Sequence, residues 1–110
     1  MSVLTIRAHK RYAVRQPVRL ADENGSSAHG LLIELSCEGL RISTLVRAAF
    51  SVGEAVSVDV GEHKLRGRIR WAHDGIAGVR LDAALHTQQM GNLIALGRGE
   101  IADDVRRYGT

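Results

Sequence analysis

Hydrophobic residues recur at every second position through most of this chain, and the period changes near its end. Val18 and Leu20 alternate with Arg19 and Ala21. Leu31, Ile33 and Leu35 alternate with Leu32 and Glu34, and Leu40 and Ile42 with Arg41 and Ser43. Val56, Val58 and Val60 are interleaved with Ser57 and Asp59, and Gly61-Glu62 closes that segment. Leu65, Gly67, Ile69 and Trp71 fall on one face, with Arg66, Arg68 and Arg70 on the other. Ala77, Val79 and Leu81 oppose Gly78, Arg80 and Asp82. A period of two is the mark of a strand with one buried face. Asp22-Glu23-Asn24-Gly25-Ser26-Ser27 reads as a turn cluster. Asp74-Gly75 reads as a tight hairpin, because a type I′ turn needs positive φ at both central positions. Short strands separated by tight turns predict a mostly β fold, a small six-stranded antiparallel β-barrel over about residues 17–82.

Beyond the barrel, Leu85, Met90, Leu93, Ile94 and Leu96 suit one helical face, with Asp82 as N-cap and Gly97 and Gly99 as stops. A second short helix over residues 100–108 would present Ile101, Val105 and Tyr108. Residues 83–108 therefore form a C-terminal helical segment. Residues 1–10 are polar and aperiodic and are expected to be a flexible N-terminal arm. Residues 11–110 make a single domain, since 110 residues suffice for one modest core and not for two.

The formal net charge is +3, and Lys10 and Lys64 are the only lysines beside many arginines. A guanidinium grips phosphate bidentately and stacks on flat rings, so the bias is compatible with phosphate or nucleotide partners; GC-rich coding raises arginine as well. The longest apolar runs resemble Leu31-Leu32-Ile33, far short of a bilayer span, and residues 1–15 hold no signal-like stretch. A cytoplasmic protein with no membrane insertion is expected. Cys37 is the sole cysteine, which leaves no disulfide framework and too few thiolates for structural zinc; it reads as a turn or strand cysteine. His9, His29, His63, His73 and His86 lack metal-ligand spacing and read as surface residues. No Ser-His-Asp order, glycine-rich phosphate loop or paired carboxylates stand out, so the chain is not expected to be an enzyme. Tyr12, Phe50, Trp71 and Tyr108 are too sparse for a base-stacking platform, which argues against nucleic acid.

Two short constellations carry the candidate chemistry. Arg11-Tyr12-Ala13-Val14-Arg15 is an RxxxR arrangement that taken alone reads as a solvated basic segment. Glu34-Leu35-Ser36-Cys37-Glu38-Gly39 places an acid, a serine and a glycine where one strand gives way to the next. If the strand continues, positions 34 and 36 share a face and can meet one ligand. Gly39 would supply positive φ for the turn or a close backbone approach. Taken alone it is an ordinary polar hairpin.

In order, these segments resemble the PilZ family. Lys10-Arg11-x-x-x-Arg15-Gln16-Pro17-Val18 is similar to its RxxxR signature ahead of the first barrel strand. Glu34-x-Ser36-x-x-Gly39 is similar to its second motif, in which Asp or Asn precedes x-Ser-x-x-Gly. Gly67-Arg68-Ile69-Arg70-Trp71 and Gly78-Val79-Arg80-Leu81 look like its closing strands. The resemblance implies a receptor for the second messenger cyclic di-GMP, with no cofactor. It puts Arg11 and Arg15 on an arm leading into the barrel, gripping phosphates or stacking on guanine. Glu34, Ser36 and Gly39 would meet guanine on the barrel wall. The arm, ordered by the ligand, would then signal to a downstream protein partner. Glu34 departs from the family's Asp or Asn; one extra methylene displaces the carboxylate, and this keeps alive a relative that has become a protein–protein adaptor in pilus or motility systems without the nucleotide. Lys10 offers a cation to a second, stacked nucleotide. Trp71 at a strand end is a possible base-stacking residue, although its period favours the core with Leu65 and Ile69.

Overall fold

In the computed structural model of the chain, residues 10–43 and 50–98 are described. The alternating segments form six strands: β1 (Tyr12–Asp22), β2 (Ser27–Leu35), β3 (Gly39–Ser43), β4 (Ala55–Val60), β5 (His63–His73) and β6 (Ile76–Leu81). One helix follows, α1 (Thr87–Arg98). The strands close into an antiparallel barrel in the order β1-β2-β3-β6-β5-β4, with β4 returning to β1. Inward-facing Leu20, Leu32, Leu35, Ile42, Val58, Val60 and Ile69 are almost wholly buried, and no polar or charged residue among those described is buried with them. Burial of this apolar set is the main force holding the barrel.

The turns follow their side-chain chemistry. Asp22 Oδ1 accepts hydrogen bonds from the amides of Asn24 and Ser26 at 2.9 Å, and Gly25 takes φ 92°. Asp74 and Gly75 have φ 53° and 78°, as the type I′ hairpin requires.

The strands depart from the expected pattern in three places. First, β1 begins at Tyr12 and not near Pro17. Tyr12 and Ala13 pair with Leu35 and Glu34, Val14 is buried, and a register shift between Ala13 and Gln16 absorbs the intervening residues. The pairing of β4 with β1 runs only from Arg19 to Asp22, so Pro17 has one strand neighbour, an edge-like setting that tolerates proline. Second, Leu32 rather than Leu31 and Ile33 faces the core, because a register shift between Leu32 and Glu34 reverses the alternation in β2. Third, a similar shift between Ile69 and Trp71 removes Trp71 from the face of Leu65 and Ile69.

The helix also starts later than the sequence suggests, at Thr87. Asp82 still belongs to the barrel closure, donating its amide to Arg66 O. Leu85 is buried ahead of the helix, its amide bound to Cys37 O. The cap is His86, whose Nδ1 accepts the Gln89 amide at 3.2 Å. Leu93 is buried and Met90, Ile94 and Leu96 pack against the core, so the expected apolar face holds for all but Leu85. Gly97 does not stop the helix. It lies within α1 against Val14, where a Cβ would come within 2.7 Å of Val14 Cβ. The expected arm up to residue 9 and the second helix over residues 100–108 lie outside the described residues.

Candidate functional site

Strand register assembles a row of chemically distinct side chains on the outer wall. Glu34 on β2 pairs with Arg41 on β3, Arg41 with Gly78 on β6, and Gly78 with Trp71 on β5. Adjacent strands are about 4.8 Å apart, so the row is roughly 14 Å long. Gly78 is the reason the indole can lie flat there: a Cβ at that position would come within 2.5 Å of Trp71 Cε2. The Arg41 guanidinium carbon lies 5.4 Å from the Trp71 ring centroid, within cation–π range. His73 extends the aromatic end, its ring centroid 5.4 Å from that of Trp71.

At the other end, one carboxylate oxygen of Glu34 faces two guanidinium groups. Arg41 Nε lies 3.7 Å from Oε1, and Arg11 Nη1 lies 3.9 Å from the same oxygen. Both separations exceed good hydrogen-bond lengths, and the Arg11 and Glu34 side chains are 50% and 30% exposed. Such solvated pairs contribute little to folding, so the groups can exchange partners at small cost. The row thus offers an acceptor for N–H donors, two cations for phosphate, and a flat cation–aromatic plate for a base.

The remaining expected site residues lie elsewhere. Ser36 follows the end of β2, so strand alternation does not set its hydroxyl beside the Glu34 carboxylate. Its Oγ accepts the amides of Gly39 at 3.1 Å and Glu38 at 3.3 Å, which makes Ser36 the builder of the β2–β3 turn. Gly39 is absent from the left-handed φ region. Its smallness serves a close approach to β6, where a Cβ would sit 3.0 Å from Val79 O. Cys37 and Glu38 also tie the turn to the end of β6 and the chain beyond it, through Leu81 N to Glu38 O and Leu85 N to Cys37 O, each 2.8 Å.

Arg15 is within β1 and not on a free arm. It lines an open groove of about 560 Å³ between β1 and α1, with Ala13, Val14, Leu96, Gly97 and Arg98. Arg98 Nε donates to Ala13 O across this groove at 3.0 Å. Arg11 and Arg15 therefore face different neighbours, one at the Glu34 end of the row and one beside α1. Lys10 is exposed just ahead of β1.

Arg41 is the functional candidate that sequence reasoning missed. Its position beside Leu40 and Ile42 marked it as outward, but only the neighbour order β2-β3-β6-β5 brings it between Glu34 and Trp71. Among the described residues, no helix is long and apolar enough to cross a membrane.

Comparison with known proteins is consistent with this architecture. The crystal structure of the PilZ domain of CeSA from a cellulose-synthesizing bacterium matches with a TM-score of 0.61 at 24% identity, covering 84% of this chain and 98% of that one. The structure of the Bacillus subtilis inhibitor of motility, MotI/DgrA, matches with a TM-score of 0.59 at 16% identity, covering 90% of this chain and 51% of that one. No curated protein matches in sequence. The PilZ domain family itself matches over residues 5–96. With most of its length so matched, the chain belongs to the PilZ domain family, a family of cyclic di-GMP receptors whose domains are regulatory binding modules and not enzymes.

Proposed function

We propose that this chain binds cyclic di-GMP on the outer wall of the barrel and reports its level to a partner protein. The observation that carries the reading is the row Glu34–Arg41–Gly78–Trp71 with Arg11 over its acidic end. Guanine presents ring N–H and amino donors that a carboxylate accepts, and Glu34 supplies one. Its flat face suits the Arg41–Trp71 plate, and its phosphates suit the guanidinium of Arg11. Arg15 serves a phosphate or base that reaches the groove beside α1. Ser36 and Gly39 contribute by shaping the turn that presents Glu34 and Arg41. Lys10 is placed in sequence to meet a second, stacked nucleotide.

The signal is ordering of residues ahead of Tyr12. Strand pairing already fixes Tyr12 and Ala13, so ligand-dependent ordering is confined to positions preceding them. Isothermal titration of cyclic di-GMP into the wild-type chain and an Arg11→Ala variant tests the reading. Loss of a charge-assisted contact of about 1.5–3 kcal/mol weakens binding roughly tenfold or more. Unchanged affinity in the variant removes Arg11 from the site.

A second reading is favoured by one observation: Glu34 stands where the motif has Asp or Asn and already lies between Arg11 and Arg41. Under it the chain is an adaptor that does not take the nucleotide. Absence of binding heat in the wild type, regained in Glu34→Asp, identifies the longer acid as the cause.

A further inference from the structure

A second set of side chains lies on the outer face of β5 and β6, alongside the Gly78–Trp71 end of the row. Lys64, Arg66, Arg68 and Arg70 project outward at alternate positions of β5 and are all exposed. Arg80 on β6, also exposed, stands directly opposite Arg68. Like charges directly opposed across a sheet destabilise it, so the arrangement is not explained by folding. Lys64 is balanced by Asp59 at 3.4 Å, and Arg68 Nη1 donates to Gly53 O at 3.0 Å. Arg66, Arg70 and Arg80 have no acidic partner within 4 Å among the described residues, although Asp82 follows alongside Arg66. On the β4 side, the residues opposite Arg68 and Arg66 are Ala55 and Ser57, too short to shield the guanidinium groups.

We propose that this arginine face is a docking surface for an extended acidic segment of a partner protein. Alternate residues of a strand are about 6.7 Å apart, so carboxylates at every second position of an extended peptide match the rungs. Guanidinium forks bind carboxylates bidentately, which lysines would not do. Single-stranded nucleic acid has a charged backbone too, but the ladder itself carries no aromatic side chain on which bases would stack. A single neighbouring indole, that of Trp71, cannot stack a run of successive bases. The proposal stands without the nucleotide reading, since no residue of the Glu34–Arg41–Trp71 row belongs to it.

The test uses the nucleotide-free chain and a fluorescein-labelled peptide of alternating glutamate and serine, read by fluorescence polarisation at low and physiological salt. The face variant is Arg66→Ser/Arg80→Ser, and the charge-matched control is Arg106→Ser/Arg107→Ser. Binding that weakens at least tenfold in the face variant and less than twofold in the control supports the proposal. Equal loss in both variants, or no binding by the wild type at low salt, overturns it. So does tighter binding of single-stranded DNA, or of phosphatidylserine vesicles, through the same two arginines. Amide shifts of the wild type on peptide addition give a readout independent of any variant's folding: they must centre on residues 66–70 and 80, and shifts centred elsewhere refute the assignment.

Discussion

Replacing Gly78 by alanine perturbs the Trp71 seat without touching a charged residue. The new methyl would lie 2.5 Å from Trp71 Cε2, where carbon atoms in contact need about 3.5–4 Å. The indole therefore retreats by about 1 Å or more and leaves the Arg41 guanidinium, now 5.4 Å from its centroid. The fold loses a cation–π contact of about 0.5–1 kcal/mol. It regains a similar amount, about 0.5–1 kcal/mol, because alanine gives up less backbone entropy in a strand than glycine. Stability in a denaturant titration is thus expected within about 1 kcal/mol of wild type. The site is not so compensated. If guanine stacks on this plate, a contact of about 1–3 kcal/mol is lost, roughly a five- to 150-fold rise in Kd. The chain has one tryptophan, so its emission reports this residue alone. A red-shifted emission maximum, near-wild-type stability and weaker nucleotide binding are expected together. An unshifted spectrum would show that the indole does not rest on Gly78, and unchanged affinity with a shifted one would remove Trp71 from the binding surface.

Two further substitutions test the fold. A Cβ at Gly67 would collide with the Arg80 carbonyl and come within 2.9 Å of Val79 Cγ1, so Gly67→Ala should destabilise the barrel by about 1–3 kcal/mol in urea unfolding. His86→Ala should cost about 1 kcal/mol by removing the α1 cap, whereas Asp82→Ala, at a position that caps nothing, should stay within about 0.5 kcal/mol; equal losses would contradict the assignment of His86.

The barrel was legible in the sequence because a half-buried strand repeats its pattern every second residue. Val56, Val58 and Val60, and the Asp74-Gly75 hairpin, needed nothing beyond that rule. The two strand-face errors share one cause. Each bulge adds a residue to one strand, and beyond it every side chain changes face. The pattern carries no mark of the shifts near Ile33 and before Trp71, so by period alone Leu31 and Trp71 read as inward. The helix start differs for another reason: Asp82 is the better N-cap by chemistry, but its bond to Arg66 O holds it in the barrel closure, away from the helix that begins at Thr87. Half the candidate site was readable as motif. Arg11 and Glu34 do meet, and Arg41 reaches Glu34 across the β2–β3 hairpin, whereas Gly78 and Trp71 join them only through the pairing of β3 with β6, far apart in sequence.

The helix has a duty that sequence periodicity does not reveal. Because β4 accompanies β1 only from Arg19 onward, the flank of β1 ahead of that point would present bare peptide groups to solvent. Arg98 satisfies the carbonyl of Ala13, and Gly97 lets the helix press against Val14. α1 acts as a guard rail over an incomplete seam. Without it, that flank of β1 would be an open strand edge, the kind of margin on which another strand can pair.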